Sequence, residues 1–210
     1  METMTTSIIL PFLVFFPFLG AVISYIIGRS NKGARDIWCW ILSAVIFIAS
    51  LMLIGKETVY SLRGFCGLGL SFVADGFGVI LAVLTGAIWL ITTIFSKEYM
   101  AAERNRNRYY FFVFLTLGAT MGIFLSADLF TTFIFFEIMS FTSFVLVMHD
   151  EEDFTVRSAK TYLAVAVIGG LVTLMGLFMM YQKAGTLNMT ELTAFMQSRE
   201  NPAEFYAIGV

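Results

Sequence analysis

Charged residues are scarce in this 210-residue chain: Asp, Glu, Lys and Arg make up 13% of it, against about 25% in an average soluble domain. Its 13 basic and 15 acidic residues nearly cancel, to a net charge of −2. No basic field for a phosphate backbone results, and nucleic-acid binding is excluded. Cysteine is nearly missing. Cys39, in an apolar segment, and Cys66, in a Gly-rich loop, read as isolated thiols and not as a disulfide framework. One His and two distant Cys make no metal site. Phosphate loops, dinucleotide fingerprints and nucleophile motifs are absent, so no bound cofactor is expected and any redox chemistry must sit on a partner. In place of charge stand apolar residues, 59% of the chain, with 23 Phe and 12 Met and a mean hydropathy of +0.84. A soluble enzyme and a disordered tail are both ruled out. What remains is an all-α integral membrane protein.

Six apolar stretches carry this reading: Ser7–Gly28, Ile37–Ile54, Gly76–Phe95, Tyr109–Ala127, Leu129–Met148 and Thr161–Tyr181. Each matches the ~20 residues that cross a hydrocarbon core of about 30 Å. Backbone amides in lipid must be satisfied within their own segment, so each stretch is expected to be a helix. The first lacks the positive leader of a signal peptide, since Met1–Ser7 holds no Lys or Arg. The Gly-rich connection from Gly55 to Asp75 contains an alternating run, Leu68–Val73, that suits an external hairpin strand. Residues 187–201 form an amphipathic surface segment, with a short helix over Thr190–Ser198 that lines Leu192, Phe195 and Met196 on one face. Ala203–Val210 reads as the opening turns of a seventh helix. The whole, residues 1–210, is a single membrane domain.

Orientation follows from the basic residues. Arg29, Lys32, Arg35, Lys97, Arg104, Arg106, Arg108, Arg157 and Lys160 fall on one side, nine in all, against Lys56, Arg63, Lys183 and Arg199 on the other. The positive-inside rule puts the richer side in the cytoplasm and the N-terminus outside. A multi-pass protein of the cell's inner (plasma) membrane is expected, with the bilayer as its first partner.

Glu137 is the most informative residue. It sits near the middle of the fifth stretch, in Phe133-Ile134-Phe135-Phe136-Glu137-Ile138-Met139-Ser140, and no other charged residue lies as deep in a span. A charge at the bilayer centre costs at least about 2.5–3.5 kcal/mol, so such a residue faces the bundle interior or a hydrated cavity and is usually functional. It is a candidate proton carrier; the plainer alternative is an inward Glu that only bonds neighbouring helices. Ser140, Thr142 and Ser143 either order water beside it or bond back to helix backbone. Lys160, with Arg157 one turn earlier, opens the sixth stretch. It is either a cation that tunes a nearby acid or a headgroup anchor. Helix five runs about 16 Å beyond Glu137, so direct contact with Lys160 is not expected. His149 and the run Asp150–Asp153 are read as a solvated turn, with proton collection as the alternative. Asp75 and Asp128 suit helix N-caps, and Gly118-x-x-x-Gly122 and Gly169-Gly170 suit close helix packing.

Around Glu137, Asp128-Leu129-Phe130 through Phe135-Phe136-Glu137-Ile138-Met139-Ser140-Phe141 resembles the fifth helix of the antiporter-like subunits of complex I, membrane-bound hydrogenases and Mrp-type cation/proton antiporters. Phe72-Val73-Ala74-Asp75-Gly76, Phe95-Ser96-Lys97-Glu98-Tyr99-Met100, Arg108-Tyr109-Tyr110-Phe111 and Ser158-Ala159-Lys160-Thr161-Tyr162 resemble other blocks of the same family, in the same order. The wording around Glu137 is most similar to the hydrogenase-4-like branch. The resemblance implies an ion-translocating subunit, without a catalytic site of its own, driven by a hydrogenase or NADH:quinone oxidoreductase module. It implies that Glu137 is the key protonatable residue and that its cation partner is a Lys on the seventh helix. Lys160 belongs to the sixth and does not match that Lys. Family members have about fourteen core helices in two inverted repeats, and the match reaches only their N-terminal portion. The expected partners are other membrane subunits of a respiratory or hydrogenase complex, and the chain is either a fragment or split product completed by a separate chain supplying the remaining helices, or a reduced subunit. The alternatives are a Mrp-type Na⁺/H⁺ antiporter component and a structural or assembly subunit without transport of its own.

Overall fold

The computed structural model describes residues 5–62, 64, 69–102, 105–149 and 152–197. In chain order these form β1 (Thr5–Thr6), α1 (Ile9–Ser30), α2 (Lys32–Leu51), β2 (Thr58–Leu62), β3 (Leu70–Ala74), α3 (Gly76–Tyr99), a 3₁₀ turn (Met100–Ala102), α4 (Arg106–Phe124), α5 (Leu129–Val147), α6 (Asp153–Ala184) and α7 (Met189–Gln197). Each apolar stretch is a helix, as lipid demands of its backbone. Five of them, α1, α2, α3, α5 and α6, are long and apolar enough to cross a membrane. The exception, α4, opens with the polar turn Arg106-Asn107-Arg108. It needs less lipid-facing surface because it runs through the interior, packed on α1, α3 and α5, with ten of its residues buried.

Besides α4, which starts one turn ahead of Tyr109, two helices begin well before their apolar runs. The Asn31 side chain accepts from Gly33 N–H and Ala34 N–H at 2.9 and 3.1 Å. It thereby caps α2 five residues ahead of Ile37 and draws Arg35 and Asp36 into the helix. The other early start is α6, at Asp153, which places Lys160 two turns inside and not at its opening. Gly185, at φ +73°, ends α6 in the left-handed conformation that glycine adopts without strain. Within the segment 187–201 the described residues form α7, Met189–Gln197, where a helix over Thr190–Ser198 is expected. Ala203–Val210, Cys66 and Asp150 lie outside the described residues.

A three-stranded sheet caps one end of the bundle. In it β2 pairs with β1 in parallel and with β3 antiparallel. The expected strand is thus β3, shifted to Leu70–Ala74. It clamps the α4–α5 turn: Val73 N–H donates to Leu125 O and Ala127 N–H to Ser71 O, both at 2.8 Å. Asp128 accepts from Thr131 N–H and from the Thr131 hydroxyl, each at 2.7 Å, and Thr131 Oγ1 accepts in turn from Ser71 N–H at 3.0 Å. Asp75 caps α3 through Gly78 N–H at 2.7 Å. Beneath the sheet, Phe72 is fully buried against Phe15 and Phe135, with ring centroids 6.3 and 5.8 Å away.

Glycines set the closest helix contacts. A Cβ on Gly118 would stand 2.6 Å from the Phe18 ring and 2.9 Å from Val14 O, and one on Gly122 would collide with the Phe135 ring. The Gly118-x-x-x-Gly122 pair therefore seats α1 and α5 on opposite turns of α4. Gly170 also lies at a close contact, whereas Gly169 has nothing within 4 Å, so only half of the Gly169-Gly170 pair serves packing.

Candidate functional site

Glu137 lies mid-way along α5, eight residues from Leu129 and ten from Val147, or about 12 and 15 Å from the two ends. Its helix face turns it toward α6. There the carboxyl rests on the backbone at Gly170: a Cβ at that position would overlap Oε1 and stand 2.8 Å from Cδ. Absence of a side chain at Gly170 is what makes room for the acid. Oε1 is buried and has no hydrogen-bond partner among the described residues. In native proteins such atoms are few, and each calls for a reason, a catalytic or ion-handling role among them. The seam around the carboxyl is lined by Ser140, Phe141, Leu163, Ala166 and Val167 and has no room for a water molecule. Among the described residues the carboxyl sits in the seam between α5 and α6.

Ser140, one turn on, shares this seam. Thr142 does not extend it as a water path. Its hydroxyl meets Thr116 Oγ1 of α4 at 2.9 Å and donates to Met139 O at 3.0 Å, which is the packing role. Lys160 is exposed and ten residues from Gly170 along α6, about 15 Å at 1.5 Å per residue. The structure does not bring it to Glu137. His149 packs its ring on Tyr109, with centroids 5.9 Å apart, and its carbonyl accepts from Arg108 Nη2 at 2.9 Å. This turn is therefore tied to α4 and is not simply solvated. Metal-binding groups of His, Cys, Asp and Glu do not occur among the described residues.

A second polar cluster has no counterpart in the sequence reading. Arg35, which falls in a loop on hydropathy alone, is only 1% exposed. Its guanidinium meets Asp36 Oδ1 at 2.9 Å and donates to Asn107 Oδ1. Arg106 reaches the other oxygen of the same carboxylate, Oδ2, at 2.9 Å. Tyr110 lies under both cations, 4.8 Å from Arg35 and 5.7 Å from Arg106. The available signal is Arg35-Asp36 beside an apolar run with a capping Asn31 ahead of it. Two opposite charges drawn into a helix start need partners, and these come from α4, about seventy residues away.

Together these features define a polytopic helical membrane protein with one half-buried carboxyl in the seam between two of its helices. Comparison with known proteins shows what the chain is similar to. Residues 126–210 match the family described as NADH:quinone oxidoreductase/Mrp antiporter, TM. The "Putative antiporter subunit mnhD2" of Staphylococcus epidermidis is 30% identical over 207 residues, covering 94% of this chain and 40% of that protein. A Na(+)/H(+) antiporter subunit of Alkalihalophilus pseudofirmus is 28% identical over 142 residues, covering 68% of this chain and 29% of that protein. Among solved structures, the archaeal membrane-bound sulfane sulfur reductase superposes with a TM-score of 0.84 at 18% identity, over 96% of this chain and 42% of that one. The Mrp complex from Dietzia sp. DQ12-45-1b superposes with a TM-score of 0.75 at 20% identity, over 95% of this chain and 22% of that one. At these identities the two superpositions establish the fold. In sequence and fold the chain is similar to the antiporter-like membrane subunits of complex I-like and Mrp-type assemblies. It spans 29–40% of the length of these two curated relatives, and nothing in them is specific to the hydrogenase-4-like branch.

Proposed function

We propose that this chain is an ion-translocating antiporter-like subunit, or the N-terminal portion of one, in a redox-driven membrane complex, and that Glu137 is its protonatable residue. The observation that carries the reading is a carboxyl at mid-span, held on the Gly170 backbone with a buried oxygen that has no described hydrogen-bond partner. Its charge changes only when a proton moves on or off that carboxyl. The group is therefore placed to exchange a proton with donors or cations brought up beside α6. Lys160 stands about 15 Å along α6 from the carboxyl and serves chiefly as a headgroup anchor. The N-terminus lies outside and the Arg- and Lys-rich ends in the cytoplasm of a plasma membrane. Partners are the other membrane subunits of such a complex.

The names of the relatives favour a second form of the same reading, a Mrp-type Na⁺/H⁺ antiporter component. One experiment tests both. Glu137→Gln in the assembled complex, reconstituted in sealed vesicles with a pH-sensitive dye, is expected to abolish ion-coupled proton movement while assembly is retained. Transport that needs sodium selects the Mrp form; transport that needs only an electron donor selects the redox-driven form. Undiminished transport by Glu137→Gln overturns the role of the carboxyl and leaves a structural subunit.

A further inference from the structure

At the opposite end of the bundle from the sheet, a pocket of about 640 Å³ opens between the ends of α1, α2 and α4. Its polar wall carries Lys32, Arg35, Arg106 and Arg108, and no carboxylate is among its described lining residues. Its other wall is aromatic and includes Tyr25 and Phe111, whose rings meet at 5.7 Å. Asp36 is shared between Arg35 and Arg106, so one negative charge stands against two guanidiniums. Arg106 Nε is buried and has no hydrogen-bond partner among the described residues. Two helices, α2 and α4, begin at this wall. Both helix dipoles therefore add positive potential here.

We propose that this pocket binds a phosphate group, and that its source is the headgroup of an anionic phospholipid. The charge calls for an anion, and buried guanidiniums bind phosphate well because their fork of donors matches its oxygens. The aromatic wall favours a lipid over a free ion: Tyr25 is 42% exposed near the end of an apolar helix, where acyl chains would lie against it. Basic pockets between transmembrane helices hold such headgroups elsewhere. The site is independent of Glu137 and of the transport reading.

Lys32 is the residue to change. It is exposed, so its loss leaves the buried Arg35–Asp36–Arg106 cluster intact. The purified complex in mild detergent is titrated with phosphatidylglycerol, with phosphatidylcholine and with inorganic phosphate, and bound lipid is counted by native mass spectrometry. Phosphatidylglycerol should bind more tightly than phosphatidylcholine, and added salt should weaken it. Lys32→Gln should weaken phosphatidylglycerol about fivefold, the usual effect of one cation near an anionic lipid surface, and Lys32→Glu should weaken it further. Lys56→Gln, at the sheet end, should change nothing. Equal retention of the two lipids, or unchanged selectivity in both Lys32 variants, overturns the site. Binding of inorganic phosphate without preference for phosphatidylglycerol overturns the lipid assignment.

Discussion

Gly169 and Gly170 make a controlled pair for the Glu137 site. Each lies inside α6, and on helix propensity alone Ala at either favours the helix by up to about 1 kcal/mol. Their surroundings differ. At Gly169 a new methyl meets nothing within 4 Å, whereas at Gly170 it would stand 2.8 Å from Glu137 Cδ. Carbon atoms in ordinary contact sit about 3.5–4.0 Å apart, so Gly170→Ala must push the carboxyl away by roughly 1 Å. A misplacement of that size at a working group can lower its rate about a hundredfold. Gly170→Ala is therefore expected to leave assembly near normal and to cut proton movement by one to two orders of magnitude, roughly. Gly169→Ala is expected to match the unmodified chain. Shortening the acid by a methylene, in Gly170→Ala with Glu137→Asp, should recover part of the loss. The assay is dye quenching in sealed vesicles, normalised to assembled complex on native gels. Equal transport by the two single variants refutes the argument that the contact at Gly170 positions the acid.

Two further predictions concern what holds the bundle together. Asp36→Asn leaves the 1%-exposed Arg35 without its counter-charge and should destabilise the fold by about 3–5 kcal/mol, measured by thermal unfolding in detergent. Thr131→Val removes the hydroxyl that accepts from Ser71 N–H and donates to Asp128. It should cost about 1–3 kcal/mol and speed hydrogen exchange at Ser71, read by mass spectrometry.

Much of this arrangement is legible without coordinates, because a bilayer leaves few options for a long apolar run. The helices, the mid-span Glu137, the caps at Asp75 and Asp128 and the surface helix before Gln197 all follow from local pattern. Harder to see are events that depend on a distant partner. Arg35 and Asp36 look like loop charges until Arg106 and Asn107 are known to face them. The early start of α6 is hidden by the charged residues at 153–160, since a helix leaving the hydrocarbon keeps its hydrogen bonds but loses its apolar signature. Gly169 and Gly170 are indistinguishable as letters; only the direction of α5 decides which one touches the acid. The seam at Glu137 is equally out of reach, because it depends on the fit of two helices and not on either alone.

At 32 residues α6 is about 48 Å long, yet only Ala159, Gly170 and Leu177 along it are buried. It leans on its neighbour along a single narrow line, as a keel meets a slipway, with the rest of its girth free. A roll of about 10° about its own axis, at a surface radius of about 5 Å, would slide its inner surface by roughly 0.9 Å. The carboxyl touches that line, so sideways force on the outer flank of α6 becomes a change in the space around it. Motion in an adjoining body thus has a short mechanical route to the acid.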